Sequence, residues 1–300
     1  MRCKWLLQRR TGGPKLSLYL GESAHKGGAM DFSDIAQRGL VLLGCGKMGS
    51  AMLEGWLSSG LPAQSVWVID PHPSAWLQVQ DIHLNAALPS DPALVLVAVK
   101  PQLMQAALPQ MSRFGNGTTL FLSIAAGITI AGFEAILGPH TPIIRAMPNT
   151  PAAIGQGITA LSGNRLIEER HLVLAEGLLG AIGQTLRLEH EAQMDAVTGV
   201  SGSGPAYVFY MIDCLAAAAR AQGLGEDVAM QLAKATVAGA GALAAISQEP
   251  PEQLRINVTS PNGTTQAGLE VLMQAKGGLD ALIRETVAAA ANRSRDLANG

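Results

Sequence analysis

The chain has 300 residues, 48% of them hydrophobic and only 15% charged, with 34 glycines and a formal net charge of −2. That is enough apolar material for a large core and, at this length, for two domains; it excludes a disordered or fibrous chain. No basic cluster lies beyond the N-terminal tail, so nucleic-acid or membrane-surface binding has no electrostatic support.

Residues 1–38 differ in character from the rest of the chain. The segment MRCKWLLQRRTGGPKLSLYLGESAHKGG is basic at its start, has no helix or strand period, and lacks the apolar core and cleavage site of a signal peptide. An Arg-rich, acid-poor start fits a transit peptide; a misassigned start codon, with true initiation at Met30, accounts for it equally well. We read residues 1–38 as a disordered or dispensable extension.

From Gly39 the pattern sharpens. GLVLLGCG is a short apolar run ending in glycine, and KMGSAMLEGWLSSG is helical in period and stopped by Gly60. SVWVID and ALVLVAVKP are two more buried strands. TTLFLSIAAG and TPIIRAMPNTP come next, with the short helix TIAGFEAIL between them. GITALSG and GQTLRLE bracket the helical EERHLVLAEGLLGAI and extend the same sheet. Strands apolar nearly throughout, alternating with helices, indicate a parallel sheet covered on both faces. After about residue 190 the strands stop, giving way to three long helical patterns rich in small residues. The expected class is therefore α/β, with a Rossmann-like doubly wound sheet over 39–164 and a mainly helical domain over 165–300. Each apolar run reads as too short to cross a bilayer. Cys3, Cys45 and Cys214 and the six histidines show no metal-ligand spacing, so no metal is expected, and the odd cysteine count points to reduced thiols in the cytoplasm.

The chemistry-bearing motifs fall at strand ends. GCGKMG, residues 44–49, lies between a strand and a helix, the context in which G-x-G-x-x-G signifies dinucleotide binding. Gly44 permits the tight turn, Gly46 the approach of a pyrophosphate, and Gly49 close packing of helix on strand. Lys47 and Met48 open a helix whose N–H groups face the phosphates. Asp70, 21 residues past Gly49, ends the second strand, where a carboxylate would bond the ribose 2′-hydroxyl of NADH and repel the 2′-phosphate of NADPH. Its other role is that of a turn residue before Pro71. Val99, Lys100 and Pro101, and Met147, Pro148 and Asn149, stand at two further strand ends. There Lys100 could reach a ribose or phosphate and Asn149 the nicotinamide amide, while the prolines by themselves account for rigid turns. In VSGSGPAYVFYMIDCL, Ser201 and Ser203 read as helix caps, and Tyr207, Phe209 and Tyr210 as core or interface. Cys45 and Cys214 read as small hydrophobes rather than nucleophiles. Near the C-terminus, VTSPNGTTQAGL is a loop feeding a helix N-terminus, either a capped helix or a pocket for a small carboxylate.

Taken together these motifs resemble the pyrroline-5-carboxylate reductase family from Gly39 to the C-terminus: G-x-G-x-M at 44–48, A-V-K-P at 98–101, S-I-A-A-G at 123–127, R-A-M-P-N-T-P at 145–151, S-G-S-G-P-A-Y at 201–207 and V-T-S-P-N-G-T-T-Q-A-G-L at 258–269. The resemblance implies a Rossmann domain, a helical domain that dimerises by interlocking helices, often into rings of dimers, and hydride transfer from NADPH or NADH to the imine carbon of 1-pyrroline-5-carboxylate, giving L-proline. It adds Ala125, Ala126 and Gly127 to the cofactor site. It also implies that Ser260, Asn262, Gly263, Thr264 and Thr265 cradle the substrate carboxylate, with the Thr265 hydroxyl beside the imine nitrogen. Asn262 stands where the family usually has Gly, and Asp213 where a longer Glu is common. IDPHPS lacks the Ser/Arg pattern of clear NADP binders, and the segment between Asp70 and Ala93 leaves room only for an abbreviated helix. Two rival readings are a β-hydroxyacid dehydrogenase or imine reductase, and a non-catalytic NAD(P)H-binding redox module. Against the first, the helix GPAYVFYMIDCLAAAAR has no lysine, and Lys234 falls on the next one. Against the second stands the substrate-like loop.

Overall fold

A computed structural model describes residues 31–299. The first 30 residues of the expected extension lie outside the described residues, but its end does not fit that expectation. Ser33–Arg38 forms helix α1. Phe32 and Ile35 are buried in the core, and Arg38 bonds the Pro92 carbonyl, the Thr118 hydroxyl and the Asp34 and Asp91 carboxylates. Two apolar side chains separated by a polar pair are too short a signal to reveal a helix by period.

In chain order the elements after α1 are β1 (Leu40–Leu43), α2 (Lys47–Ser58), β2 (Val66–Ile69), α3 (Ala75–Gln78), β3 (His83–Leu84), β4 (Leu94–Val97), α4 (Met104–Ala107), β5 (Leu120–Ser123), α5 (Ile130–Leu137), β6 (Ile143–Met147), β7 (Gly157–Gly163), α6 (Glu169–Gly180) and β8 (Gly183–Arg187). The helical part adds α7 (Met194–Val197), α8 (Gly204–Ala221), α9 (Glu226–Ile246), α10 (Pro251–Asn257), α11 (Thr264–Leu272) and α12 (Leu279–Asn299).

The eight strands form one sheet in the order β3-β2-β1-β4-β5-β6-β7-β8. From β1 the chain winds outward in both directions, so the crevice at the carboxyl end of β1 is the switch point of a doubly wound fold. Strand β1 explains why both faces are covered: Leu40 and Leu42 enter one core with Trp56 of α2 and Leu178 of α6, while Val41 and Leu43 enter the other with Met111 and Phe133. Each such side chain contributes roughly 1.5–3 kcal/mol on burial. Where α2 meets α6, the Trp56 indole N–H donates to the Leu178 carbonyl at 2.7 Å, which satisfies both groups in the dry interior.

One feature departs from the sequence reading. The sheet is not wholly parallel: β7 runs antiparallel to β6. The nine residues 148–156 between them hold only a short 3-10 turn, too little for a crossover, so the chain reverses. As expected from GITALSG and GQTLRLE, the sheet continues past residue 164: β8 pairs in parallel with β7, and α6 covers that end. The helical part begins after Arg187. The abbreviated helix is found as α3, four residues long.

Helices α8 to α12 are far more exposed than the sheet. Of the 21 residues of α9 only Ala229 and Ala233 are buried, while Phe209, Tyr210, Leu232, Ile246, Val271 and Leu282 are each at least half exposed. Contrary to the expectation that every apolar run is too short, α9 is long and apolar enough to cross a membrane by length and composition. Its alanines and glycines disguise this in the sequence, since they are individually only weakly apolar.

Candidate functional site

Gly44 follows β1 with φ +87°, a conformation that side chains rarely adopt, and donates its N–H to the Ile69 carbonyl at 2.8 Å. A Cβ there would stand 2.8 Å from the Val99 side chain and 3.1 Å from the Ala98 backbone. At Gly49 a Cβ would lie 3.0 Å from the Gly44 carbonyl oxygen. These two glycines are thus required by packing of the protein on itself. Gly46 differs. It is the residue before α2, with ordinary extended angles, and a Cβ on it would meet nothing within 4 Å. The open space lies in front of α2, whose first turn has no side-chain cap. The N–H groups of Lys47, Met48 and Gly49 are therefore free for an anion. This cradle fits a pyrophosphate.

Asp70 sits one residue past β2 and closes the same loop. Its Oδ2 accepts the Cys45 N–H at 2.8 Å and its Oδ1 the His72 N–H at 2.8 Å. A carboxylate has about four acceptor positions, so two remain for a ligand's hydroxyls. Burial, assisted by the Asp70 charge, pushes the Cys45 thiol above its ordinary range despite the Ser50 hydroxyl 3.5 Å away. The neutral thiol is a packing group, as expected.

The remaining expected cofactor residues stand in a row along adjacent strand ends. After β4, Val99 is half-buried against Gly44, and Lys100 is exposed before a 3-10 turn led by Pro101. After β5, the Ala125 N–H is held by Ser123 Oγ at 3.2 Å, Ala126 is half-buried and Gly127 turns with φ +79°. After β6, Pro148 is buried and Met147 reaches toward Gly202. Asn149 Oδ1 accepts the Ile158 N–H at 3.0 Å, so this side chain has a structural task the sequence did not disclose. Its amide N–H groups and one lone pair of Oδ1 are left for a ligand.

Met147 touches a feature also missed. Thr198–Gly202 is a π-helical turn inserted between α7 and α8, and such turns are frequent at functional sites. Ser203 makes no side-chain cap and Ser201 bonds back to the Val197 carbonyl, so neither serine caps a helix. The clue in the sequence was VSGSGP itself, whose small residues tolerate the widened turn. Glu191 was missed as well. Its Oε1 accepts both the buried Arg145 guanidinium at 2.7 Å and the Ile130 N–H at 2.9 Å, tying the start of the helical part to β6 and α5.

The carboxylate-loop residues form a second, separate group. Asn262 adopts φ +59°, which an asparagine tolerates, and its N–H is capped by Gln266 Oε1 at 2.8 Å. Gly263 precedes α11 with its N–H on the Ser260 carbonyl, and α11 has no side-chain cap. Ser260, Thr264 and Thr265 are exposed. The α11 N-terminus thus presents free N–H groups and two hydroxyls to an anion. Within one chain this group does not meet the first: among the described residues no hydrogen bond joins 258–265 to the sheet, and α10 and α11 share no substantial packing with it.

Known proteins resemble the chain in both of its parts. Residues 191–297 match the family model of pyrroline-5-carboxylate reductase dimerisation, and residues 39–127 that of NADP oxidoreductase, coenzyme F420-dependent. The chain is 37% identical over 265 residues to pyrroline-5-carboxylate reductase of Pseudomonas aeruginosa, covering 86% of this chain and 96% of that one. It is 37% identical over 264 residues to the enzyme of that name from Pisum sativum, covering 86% and 95%. Among solved structures, a pyrroline-5-carboxylate reductase from Coxiella burnetii superposes with TM-score 0.79 at 29% identity, over 87% of this chain and 98% of that one. The Plasmodium falciparum pyrroline carboxylate reductase, solved with NADP bound, gives 0.74 at 25% identity, over 88% and 99%.

Proposed function

This chain belongs to the pyrroline-5-carboxylate reductase family, and on that premise we propose how its residues carry the reduction of 1-pyrroline-5-carboxylate to L-proline. It is an oxidoreductase that uses a nicotinamide cofactor, and it self-associates through its helical part. The observation that supports our assignment of roles is the pair of anion cradles, one at the open face of Gly46 and one at the N-terminus of α11.

The first cradle holds the dinucleotide. The N–H groups of Lys47, Met48 and Gly49 bind its phosphates, Asp70 the adenosine ribose, and the turns at 98–101, 125–127 and 147–149 line the path toward the nicotinamide. When bound, the cofactor supplies the hydride. The second cradle holds the substrate carboxylate on backbone N–H groups of Thr264, Thr265 and Gln266. The Thr265 hydroxyl then orients, and helps to protonate, the imine nitrogen. A protonated imine is already electrophilic, so alignment supplies most of the barrier lowering and no strongly perturbed acid is needed.

Because the cradles lie apart within one chain, we place the working site between two copies, with α11 of one facing the sheet edge of the other. The exposed apolar faces of α8, α9 and α12 are the surface this pairing buries. That accounts for α9 as an interface helix rather than a membrane span. Sedimentation reads the assembly, dimers or rings of dimers, directly. The free thiols Cys45 and Cys214 accord with a cytoplasmic setting.

For the cofactor, Asp70 favours NADH, since the loop PHPS after it carries no Arg or Lys to hold a 2′-phosphate. The test is oxidation of NADH and NADPH at matched concentrations with 1-pyrroline-5-carboxylate. Turnover faster with NADH supports both readings. No turnover by folded, dinucleotide-binding protein sinks the substrate assignment, and a preference for NADPH sinks the assignment of Asp70.

A further inference from the structure

We propose that Asn85 is a positioning residue for cofactor choice: its side chain locks the backbone of Asp70 so that the carboxylate stays fixed at the rim of the glycine loop. The inference rests on the reading that Asp70 faces the adenosine ribose.

The need for such a lock comes from the sheet edge. Strand β3 is only two residues long, and its ladder with β2 pairs Trp67 with His83 and Val68 with Leu84. Asp70 lies beyond that ladder, and β3 is the outermost strand, so no further strand can hold it. Asn85 takes over. Its own N–H continues the ladder to the Val68 carbonyl at 2.8 Å. Its backbone then turns to φ +51°, and the amide reaches across to Asp70. Oδ1 accepts the Asp70 N–H at 3.0 Å and Nδ2 donates to the Asp70 carbonyl at 2.8 Å. One side chain thus imitates the missing strand residue, satisfying both backbone groups of Asp70.

The consequence passes to the carboxylate. With its backbone held, Asp70 spans to the Cys45 N–H of the glycine loop and the His72 N–H of the next turn. The chain of contacts from Asn85 through Asp70 to Cys45 ties the edge strand to the phosphate cradle. A primary amide carries donor and acceptor on two coplanar atoms, the arrangement that faces a backbone N–H and C=O together. An aspartate at 85 would lose the donor and set a second negative charge beside the first, while an alanine would lose both bonds and strain at positive φ.

Asn85→Gly isolates the amide, because glycine keeps the left-handed turn without strain. We expect the NADH-to-NADPH ratio of kcat/KM to fall about fivefold, the scale of one lost hydrogen-bonded arrangement. The change should lie in the KM for NADH, with kcat and the KM for pyrroline-5-carboxylate held within about twofold. A merely structural residue would weaken both cofactors alike and leave the ratio unmoved. Asp70→Ala and the double variant complete the cycle. In the Asp70→Ala background, Asn85→Gly should leave the ratio unchanged, and this comparison of ratios holds even if the glycine variant melts earlier. If Asp70→Ala shifts the ratio and Asn85→Gly does not, the positioning role is overturned while the ribose reading stands. If Asp70→Ala leaves the ratio where it was, the ribose reading fails, and the role of Asn85 fails with it.

Discussion

Gly46→Ala should separate folding from cofactor binding. Gly46 has φ −72° and ψ −161°, angles open to alanine, and a Cβ there meets no heavy atom within 4 Å. Alanine in place of glycine before a helix costs roughly 0.5–1 kcal/mol of capping, and restricting the unfolded chain returns about 0.4–1 kcal/mol. The two nearly cancel, so the melting temperature should move by no more than about 2 °C at 2–4 °C per kcal/mol. The new methyl group occupies the space through which a pyrophosphate approaches the N–H groups of α2. Affinity for NADH and NADPH should fall at least about tenfold, equivalent to about 1.4 kcal/mol. Gly44→Ala is the contrast. Its φ of +87° adds about 1–2 kcal/mol of left-handed strain. The methyl would also stand 3.1 Å from the Ala98 backbone, which cannot swing aside as a side chain does. That variant should melt at least about 5 °C lower. Thermal denaturation beside a fluorescence titration with NADH measures both quantities. Wild-type cofactor affinity in Gly46→Ala would show that the glycine loop is not the surface the dinucleotide approaches.

Three other sites yield to the same kind of test. Glu191→Ala should cost about 3 kcal/mol in urea unfolding, because it strands the buried Arg145 guanidinium and the Ile130 N–H together. The double change Arg145→Met with Glu191→Met should recover at least half of that, and an additive loss would refute the pairing argument. At α6, His171 Nδ1 accepts the Glu168 N–H at 3.1 Å. Burial, with the Arg170 charge, lowers its pKa against the opposing pull of Glu168. A lowered folded pKa means that the neutral ring's contribution is present above the ordinary value of 6.5 and lost as pH falls through the folded value. His171→Gln keeps an acceptor without the titration, so unfolding at pH 7.5 and 5.5 should show a smaller acid loss than wild type; equal losses would exclude this cap as the source. Thr265→Ala should lower kcat about 10- to 100-fold with the cofactor KM unchanged, short of the full range for a general acid. Undiminished turnover would remove Thr265 from the mechanism.

Much of the site was legible because its demands are local. The strands β1 and β4 are runs of Leu and Val that only a sheet covered on both faces can hide, and Gly44 and Gly49 mark where backbone must approach backbone. Asn262 shows the same locality: its φ of +59° needs a residue that tolerates the left-handed region, whatever surrounds it. Other residues disclosed nothing, since their partners are far away in the chain. Asn85 and Asp70 are 15 residues apart, Arg145 and Glu191 are 46 apart, and Ser294 bonds Asp195 across 99 residues. Asn149 reads as wholly available to a ligand because a strand-end amide looks free until β7 is seen folding back upon it.

What the sequence determined by itself, then, is the succession of strands and helices, the glycine turn at the switch point and the loop that feeds the start of α11, because period, turn chemistry and helix ends depend on neighbours within a few residues. The reversal of β7 and the lock on Asp70 were decided only in three dimensions. So was the separation of the two cradles within a single chain. Each depends on which distant segments come to share a sheet edge or a buried face, and the free energy of that choice resides in contacts no local pattern encodes.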